Sequence, residues 1–413
     1  MPIARKILLD RSDRLQRMPV PPDDLVRLAA RLRKRGVEVI DLSRLSHAAS
    51  DHSDSIDNAL AADGWQSASF DERAHLRELI AAWYRKRFEV ILDPELEITL
   101  VPNTILALHF LTLSFVNPGE MVLLPDPGLP YQRGAVALCN AGVMPYNLLE
   151  RNDYLPSFAM LDTGLVGRIP MMVLGYPHNP TGASADLATL TESVAFARRH
   201  NILIAYDAAF TFATSGAYRP RTFLEARGAQ SVGVEMASIG ANFGVPGLAL
   251  TAVCGNREAI SAAAFLAEAA QALPTRQSVA IAEVLFERAE QHLAHRTDAL
   301  AHARTVLTET AVALRWKPRS SPTSPFLWVA VDAAVGSRAF CRRLLRRAGI
   351  LCAPGTDFGE RGEGFVRMVL PETRRTVDEV AQRLASHARL YQKRLSRRRM
   401  GQRARRSEGK DAV

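Results

Sequence analysis

Gly175-Tyr176-Pro177-His178-Asn179-Pro180-Thr181-Gly182 follows an apolar run in this 413-residue chain and precedes a helix-like one. Its prolines and glycines force a fixed loop at the carboxyl end of a strand, which is where open α/β sheets bind ligands. Asp207 closes a second apolar run, Ile202–Tyr206. A carboxylate there, if buried and unpaired, costs several kcal/mol. It therefore favours a cationic or hydrogen-bonding partner: a protonated ring nitrogen of a ligand, a neighbouring side chain or a water. Arg367, in Phe365-Val366-Arg367-Met368, adds a guanidinium whose planar fork suits a carboxylate.

The elements that must position these residues alternate. Residues up to Gly36 predict an N-terminal helical arm, with Leu25, Leu28, Ala29 and Leu32 at helical spacing. Val37–Leu42 reads as a short strand. Ser69 and Glu72 form a capping box ahead of a helix carrying Leu76, Leu79, Ile80 and Trp83 on one face and ending near Phe88. From Ile98 onward strands and helices take turns, with strands at Ile98–Val101, Met121–Leu124, Val143–Leu148, Met171–Gly175, Leu203–Tyr206, Ser231–Ala237 and Leu248–Cys254. Such alternation indicates a largely parallel sheet with helices on its faces. The Ala-rich stretch from Ala259 to Ala313 is helical, interrupted at Pro274, with a long bridging helix from near Gln277. Strands at Phe326–Val331 and Phe365–Leu370, a helix at Ser337–Ala348 and another from Thr376 predict a small α+β domain.

Met236 to Thr251 resembles the lysine loop of a pyridoxal-phosphate aminotransferase. That family reads Ser-x-Ser-Lys-x-Phe-Gly-Val-Pro-Gly-Leu-Arg-Leu-Gly there. The Asn179-Pro180-Thr181-Gly182 loop, Asp207 at the family's spacing and Pro354-Gly355-Thr356-Asp357-Phe358-Gly359 extend the likeness over most of residues 37–390. The chain thus resembles a class I/II aminotransferase. The resemblance implies an α/β protein of fold type I, with a large domain built on a mostly parallel seven-stranded sheet flanked by helices, plus a small α+β domain. The boundaries expected are 1–45 for the arm and the start of the small domain, 46–275 for the large domain, 276–392 for the bridging helix and small domain, and 393–413 for a basic, disordered tail.

Carried over residue by residue, the resemblance implies that Asn179 donates to the cofactor's phenolic oxygen and that Asp207 pairs with its protonated pyridine nitrogen. Ser238, Asn103 and Thr104 match phosphate contacts, the last two at a helix start where N–H groups favour an anion. Arg367 matches the arginine that grips an amino acid's α-carboxylate. Tyr131 is the candidate to stack on the ring, with simple packing as the alternative.

The departures are specific. Ala241 stands where the lysine would, so neither a covalent link nor that amine's proton transfer is available. Ala249 replaces a phosphate-binding arginine, Gly240 a serine, Phe210 a tyrosine, and Leu129 and Gln132 the aromatic residues of Pro-Gly-Tyr-Pro-x-Tyr. The six lysines are Lys6, Lys34, Lys86, Lys317, Lys393 and Lys410, none expected at the cofactor.

These departures support an aminotransferase-like protein that is not a conventional transaminase. It would bind pyridoxal or pyridoxamine 5'-phosphate non-covalently, or an amino-acid-like carboxylate in the same pocket. The alternative is a non-catalytic pseudoenzyme subunit supporting an active partner. The resemblance implies a homodimer, with a heterodimer as the alternative.

A formal net charge of +9 raises nucleic acid as a partner, but much of the excess lies between Lys393 and Lys410, in an aromatic-poor, Arg-rich run typical of a solvated end. Nucleic acid is therefore not expected. Apolar runs such as Ile105–Val116 are interrupted by His109, Thr112 and Ser114 and fall short of the ~20 apolar residues of a membrane span. The N-terminus has no h-region, which leads to a cytoplasmic expectation. Cys139, Cys254, Cys341 and Cys352 sit among apolar neighbours without metal-ligand or redox spacing and read as core residues.

Overall fold

The computed structural model describes residues 22–45 and 66–386, apart from 162, 214, 216, 217, 246 and 332–334, together with 12, 15 and 18. The expected basic tail 393–413 lies outside the described residues. So do Lys6, Lys393 and Lys410.

The strands in chain order are β1 (Ile40–Asp41), β2 (Ile98–Val101), β3 (Met121–Asp126), β4 (Gly142–Asn147), β5 (Met171–Leu174), β6 (Leu203–Asp207), β7 (Gly233–Ser238), β8 (Thr251–Gly255), β9 (Lys317–Arg319), β10 (Phe326–Ala330), β11 (Ile350–Leu351), β12 (Ala353–Pro354) and β13 (Phe365–Val369). β2 to β8 form a seven-stranded sheet in the order β2-β8-β7-β6-β5-β3-β4. Every neighbouring pair is parallel except those made by β8, which runs antiparallel to both β2 and β7. β2, β5 and β8 are buried along their whole length, as strands covered by helices on both faces must be.

The helices that cover the sheet begin where the sequence places caps. Ser69 and Glu72 form the expected capping box on helix Phe70–Phe88, Asn103 caps Thr104–Phe115 through Leu106 N–H, and Asp186 caps Leu187–His200 through Thr189 N–H. Helix Phe70–Phe88 buries Leu76, Ile80, Trp83 and Tyr84 against the apolar side chains under one sheet face. The bridging segment is two helices, Arg276–Glu287 and Ala289–Ala313. The strand expected from Ser231 starts two residues later, because residues 229–232 form a helical turn.

A four-stranded antiparallel sheet, β12-β13-β10-β9, and the parallel pair β1-β11 carry the C-terminal part together with helix Ser337–Ala348 and a helix over residues 374–386. Their core joins Leu25 and Ala29 of helix Asp24–Lys34 to Leu344, Leu345, Val366 and Val380. The N-terminal arm thus belongs to this second core. The fold is α/β of fold type I, as the resemblance implied.

Candidate active site

Chain order along the sheet reverses beside β3, which has β4 on one side and β5 on the other. At such a switch point the loops leaving the strands' carboxyl ends diverge and open a crevice. Here the crevice is a pocket, partly open to solvent, lined by Pro125 of β3 and by Leu129 and Gln132 after it, by Gly175, Pro177, His178 and Asn179 after β5, and by Asp207 at the end of β6 and Phe210 after it. Gly175 makes this possible: a Cβ there would lie 2.7 Å from the Asp207 carbonyl oxygen and 2.8 Å from its Cβ.

Asp207 has few partners. Its Oδ1 accepts from Ala209 N–H at 3.2 Å and its Oδ2 faces Gln132 Nε2 at 3.5 Å. Burial pushes its carboxyl up to about 6, with the Ala209 N–H acting the other way. No lysine or arginine pairs with it among the described residues. His178 is buried beside it in the loop, its Nδ1 at 2.8 Å from Thr181 Oγ1 and its Nε2 without a partner. Burial brings this imidazole down to about 3, so it is neutral at physiological pH.

Arg367 reaches the pocket from β13. Its Nη1 donates to Asn179 Oδ1 at 2.7 Å and its Nη2 to Ser43 O at 2.5 Å, while its buried Nε has no partner. The guanidinium lies 4.9 Å from the Phe326 ring centroid and 4.7 Å from that of Phe358, so aromatic faces fix its plane. Burial lowers its pKa to about 10. Phe358 belongs to the Pro-Gly-x-x-Phe-Gly segment, which docks onto the loop after β3: Gly128 N–H donates to Phe358 O at 2.7 Å and Arg361 N–H to Asp126 Oδ1 at 3.1 Å. Gly359, at φ 130°, is required there, since a Cβ would collide with the Asp126 carboxylate.

Ser238 ends β7 and caps the short helix Ile239–Phe243, accepting from Ala241 N–H at 3.4 Å. It pairs with Thr251 across the β7–β8 ladder, and Thr251 Oγ1 is 3.4 Å from Thr104 Oγ1. Ser238, Thr251, Thr104 and the start of helix Thr104–Phe115 therefore converge, although the Asn103 side chain is engaged by Leu106 N–H. The Ala241 side chain packs against a cluster of Phe210, Phe326 and Val369. Phe210 meets Phe326 edge to face at 5.1 Å.

The structure thus places Asn179 and Asp207 in one pocket, with Arg367 bonded to Asn179, and places Ser238, Asn103 and Thr104 at the neighbouring end of β7, β8 and β2. Tyr131 is 42% exposed as a residue, yet its phenol is buried within reach of both Asp207 and Arg367. That burial and the Asp207 charge push its pKa up, with Arg367 acting the other way. Gln132, the next residue, lines the pocket. Sequence reasoning missed Gln132 as a partner of Asp207, Phe326 and Phe358 as the faces around Arg367, and Arg296 behind residue 241. Only Phe358 had a sequence signal, its place in the Pro-Gly-x-x-Phe-Gly segment.

These residues fit a pyridoxal-type group at its ring end. Asp207 is a carboxylate without an ion-pair partner and suits a pyridinium nitrogen, and Asn179 offers an amide beside it. At the phosphate end there are hydroxyls and helix-start N–H groups, with no cation contributed by Ala249. At position 241 there is a methyl group.

An open α/β sheet thus carries a pocket at its switch point, and Arg367 of β13 bonds to Asn179 in its lining. Residues 53–384 match the aminotransferase class I and II family, and the chain belongs to that family. The LL-diaminopimelate aminotransferase of Aquifex aeolicus is 31% identical over 323 residues, covering 76% of this chain and 82% of that one. The enzyme of the same name from Moorella thermoacetica is 28% identical over 361 residues, covering 86% and 92%. Substrate-bound BacF from Bacillus subtilis superposes with a TM-score of 0.80 at 25% identity, covering 92% of this chain and 98% of that one.

These relatives correct one expectation. The sequence departures suggested a protein that is not a conventional transaminase, or a non-catalytic partner subunit. Relatives at 28–31% identity over most of their length carry the name of an aminotransferase, which points to an active aminotransferase. The substitutions at 210, 240, 241 and 249 leave Asn179, Asp207 and the Arg367–Asn179 bond in place. No described helix is long and apolar enough to cross a membrane.

Proposed function

We propose that this protein is an aminotransferase acting on an α-amino acid, with pyridoxal or pyridoxamine 5'-phosphate held non-covalently. The observation that carries the reading is Asp207: a carboxylate without an ion-pair partner, at the switch point of the sheet, in a pocket it shares with Asn179, to which Arg367 is bonded. The cofactor, when bound, supplies an electron sink for bond changes at the amino acid's α-carbon.

The chain's own residues divide the binding and orienting. Asp207 holds the ring nitrogen's proton in place, and Gln132 Nε2 orients the carboxylate from the other side. Asn179 bridges ring and substrate, because its Oδ1 already accepts from Arg367. Arg367, held flat between Phe326 and Phe358, takes the substrate's α-carboxylate and fixes the face on which reaction occurs. Thr104, Thr251 and Ser238 offer hydroxyls to the phosphate. Ala241 supports non-covalent retention, and among the described residues the lysines, Lys34, Lys86 and Lys317, are exposed on the surface.

Calorimetric titration with pyridoxamine phosphate checks the cofactor, and absence of heat would overturn that part. Amino transfer from a panel of α-amino acids to a 2-oxo acid checks the activity. LL-diaminopimelate, the substrate in the relatives' names, belongs in that panel, and no transfer from any member would overturn the assignment. The same reading includes a cytoplasmic homodimer, in which exposed Ile105, Leu113 and Phe265 on adjacent helices are covered. Light scattering on the purified chain, showing a monomer at micromolar concentration, would remove the dimer.

A further inference from the structure

The short helix that carries residue 241 is held from behind by a single buried guanidinium. Arg296, on helix Ala289–Ala313 and 6% exposed, donates from Nη1 to Ala241 O at 2.7 Å and to Asn242 O at 2.7 Å. Those carbonyls belong to the last turn of helix Ile239–Phe243 and have no intrahelical partner. Arg296 Nε donates to Glu372 Oε1 at 3.0 Å. Gly244, at φ 77°, admits the side chain: a Cβ there would stand 2.7 Å from Arg296 Nε.

The other side of the helix is fixed as firmly. Asn242 is fully buried, with Nδ2 donating to Ala208 O at 2.9 Å and Ser238 O at 3.0 Å, and Oδ1 accepting from Phe212 N–H at 3.0 Å. Gly240 leaves no room for a side chain, since a Cβ would lie 2.5 Å from Val245 O. The backbone at 241 therefore has one orientation, with its side chain on the Phe210 and Phe326 cluster that borders the pocket. Glu372 follows β13, the strand that carries Arg367.

We propose that Arg296 is a positioning residue: through the carbonyls of residues 241 and 242 it aims the side chain of residue 241 at the cofactor pocket, and through Glu372 it ties that aim to the segment bearing Arg367. This rests on the proposed function, in that the pocket is taken to accept a pyridoxal-type ligand.

A lysine introduced at 241 reports the aim directly. Its amine condenses with the aldehyde of pyridoxal phosphate, releasing water, and borohydride then reduces the C=N bond to a stable amine that peptide mass spectrometry locates. The full-length A241K chain is expected to form this adduct at residue 241. In A241K/R296M the rate of adduct formation is expected to fall at least about tenfold, and in A241K/E372Q by a smaller factor. The control is R296M alone, titrated with pyridoxamine phosphate, which needs no amine from residue 241 and is expected to bind within about twofold of the parent.

Adduct formation at an unchanged rate in A241K/R296M would overturn the proposal, as would no adduct in A241K or an equal loss of pyridoxamine phosphate binding in R296M. Should R296M not fold, Arg296→Lys and Glu372→Gln carry the same comparison, and equal rates in both overturn it equally. Failure of the parent to bind pyridoxamine phosphate while A241K still forms the adduct would refute the non-covalent reading and leave the role of Arg296 standing.

Discussion

Replacing Asp207 by Asn tests the charge at the centre of the site. The side chain keeps its shape, so the contact with Ala209 N–H survives through the amide oxygen, and only the ionisable group is lost. In the folded chain burial pushes the carboxyl from 3.8 to about 6. A raised folded-state value means that the fold binds the proton more tightly than the unfolded chain does. The penalty for ionised Asp207 is therefore absent below about pH 4, grows between pH 4 and 6, and is complete above about pH 6. The difference between 3.8 and about 6 amounts to about 3 kcal/mol. Asp207→Asn should thus leave stability unchanged at pH 4 and raise it by up to about 3 kcal/mol at pH 7.5. For a chain of this length that is about 3 °C in melting temperature. Pyridoxamine phosphate should do the opposite: it should stabilise the parent at pH 7.5 and bind the variant about 100-fold more weakly, since a pyridinium no longer meets a carboxylate. Denaturant melts at both pH values, with and without the ligand, give all four numbers. A variant no more stable than the parent at pH 7.5, or one gaining equally at pH 4, would refute the claim that Asp207 is an uncompensated charge.

Other substitutions separate the roles of neighbouring residues. Arg367→Lys keeps the charge but loses the planar fork between Phe326 and Phe358, and should raise KM for the amino acid about 30-fold, with a smaller effect on kcat, in steady-state assays. Phe358→Leu removes one of those aromatic faces, worth about 1 kcal/mol, and should raise KM about fivefold while leaving the affinity for pyridoxamine phosphate alone. Glu235 is fully buried under the sheet, where it accepts from Tyr84 Oη at 2.8 Å and Leu224 N–H at 3.2 Å and is also bonded by the Thr222 hydroxyl. Glu235→Leu strands those donors and should cost about 3 kcal/mol in denaturant melts without changing KM.

The sheet was legible because its strands are short apolar runs closed by glycine, proline or aspartate, and buried parallel strands need nothing subtler. Two helix starts were legible because Ser69 and Asn103 cap the N–H groups three residues ahead. What could not be read were contacts between segments far apart in the chain. Gln132 and Asp207 are separated by 75 residues, and Arg296 and Ala241 by 55. No periodicity or local motif specifies either pair. Tyr131 and Gln132 show the same limit at shorter range. The sequence favoured the aromatic residue as a pocket partner; the turn of helix Pro130–Leu138 brings Gln132 into the pocket lining as well, beside a Tyr131 whose buried phenol feels both Asp207 and Arg367. A residue's chemistry was readable, while its direction depended on a helix boundary one position away.

Asp207 lines the pocket, Arg367 bonds to Asn179 of the same lining, and the two charges do not pair with each other. Each has been taken from water without a full set of partners: burial raises the carboxyl to about 6, lowers the guanidinium to about 10, and leaves Arg367 Nε unbonded. Had the two met, their charges would have satisfied each other and the pocket would have closed. Instead Asn179, which lines the pocket with Asp207, accepts from Arg367 through Oδ1. On the proposed function, a protonated pyridine ring would meet the carboxylate and an amino acid's carboxylate the guanidinium. Neither component alone satisfies both ends. Binding of an amino acid should therefore tighten when pyridoxamine phosphate is already present, and the two ligands should show equal reciprocal coupling in calorimetry. Independent binding would mean that Asn179 separates two unrelated sites.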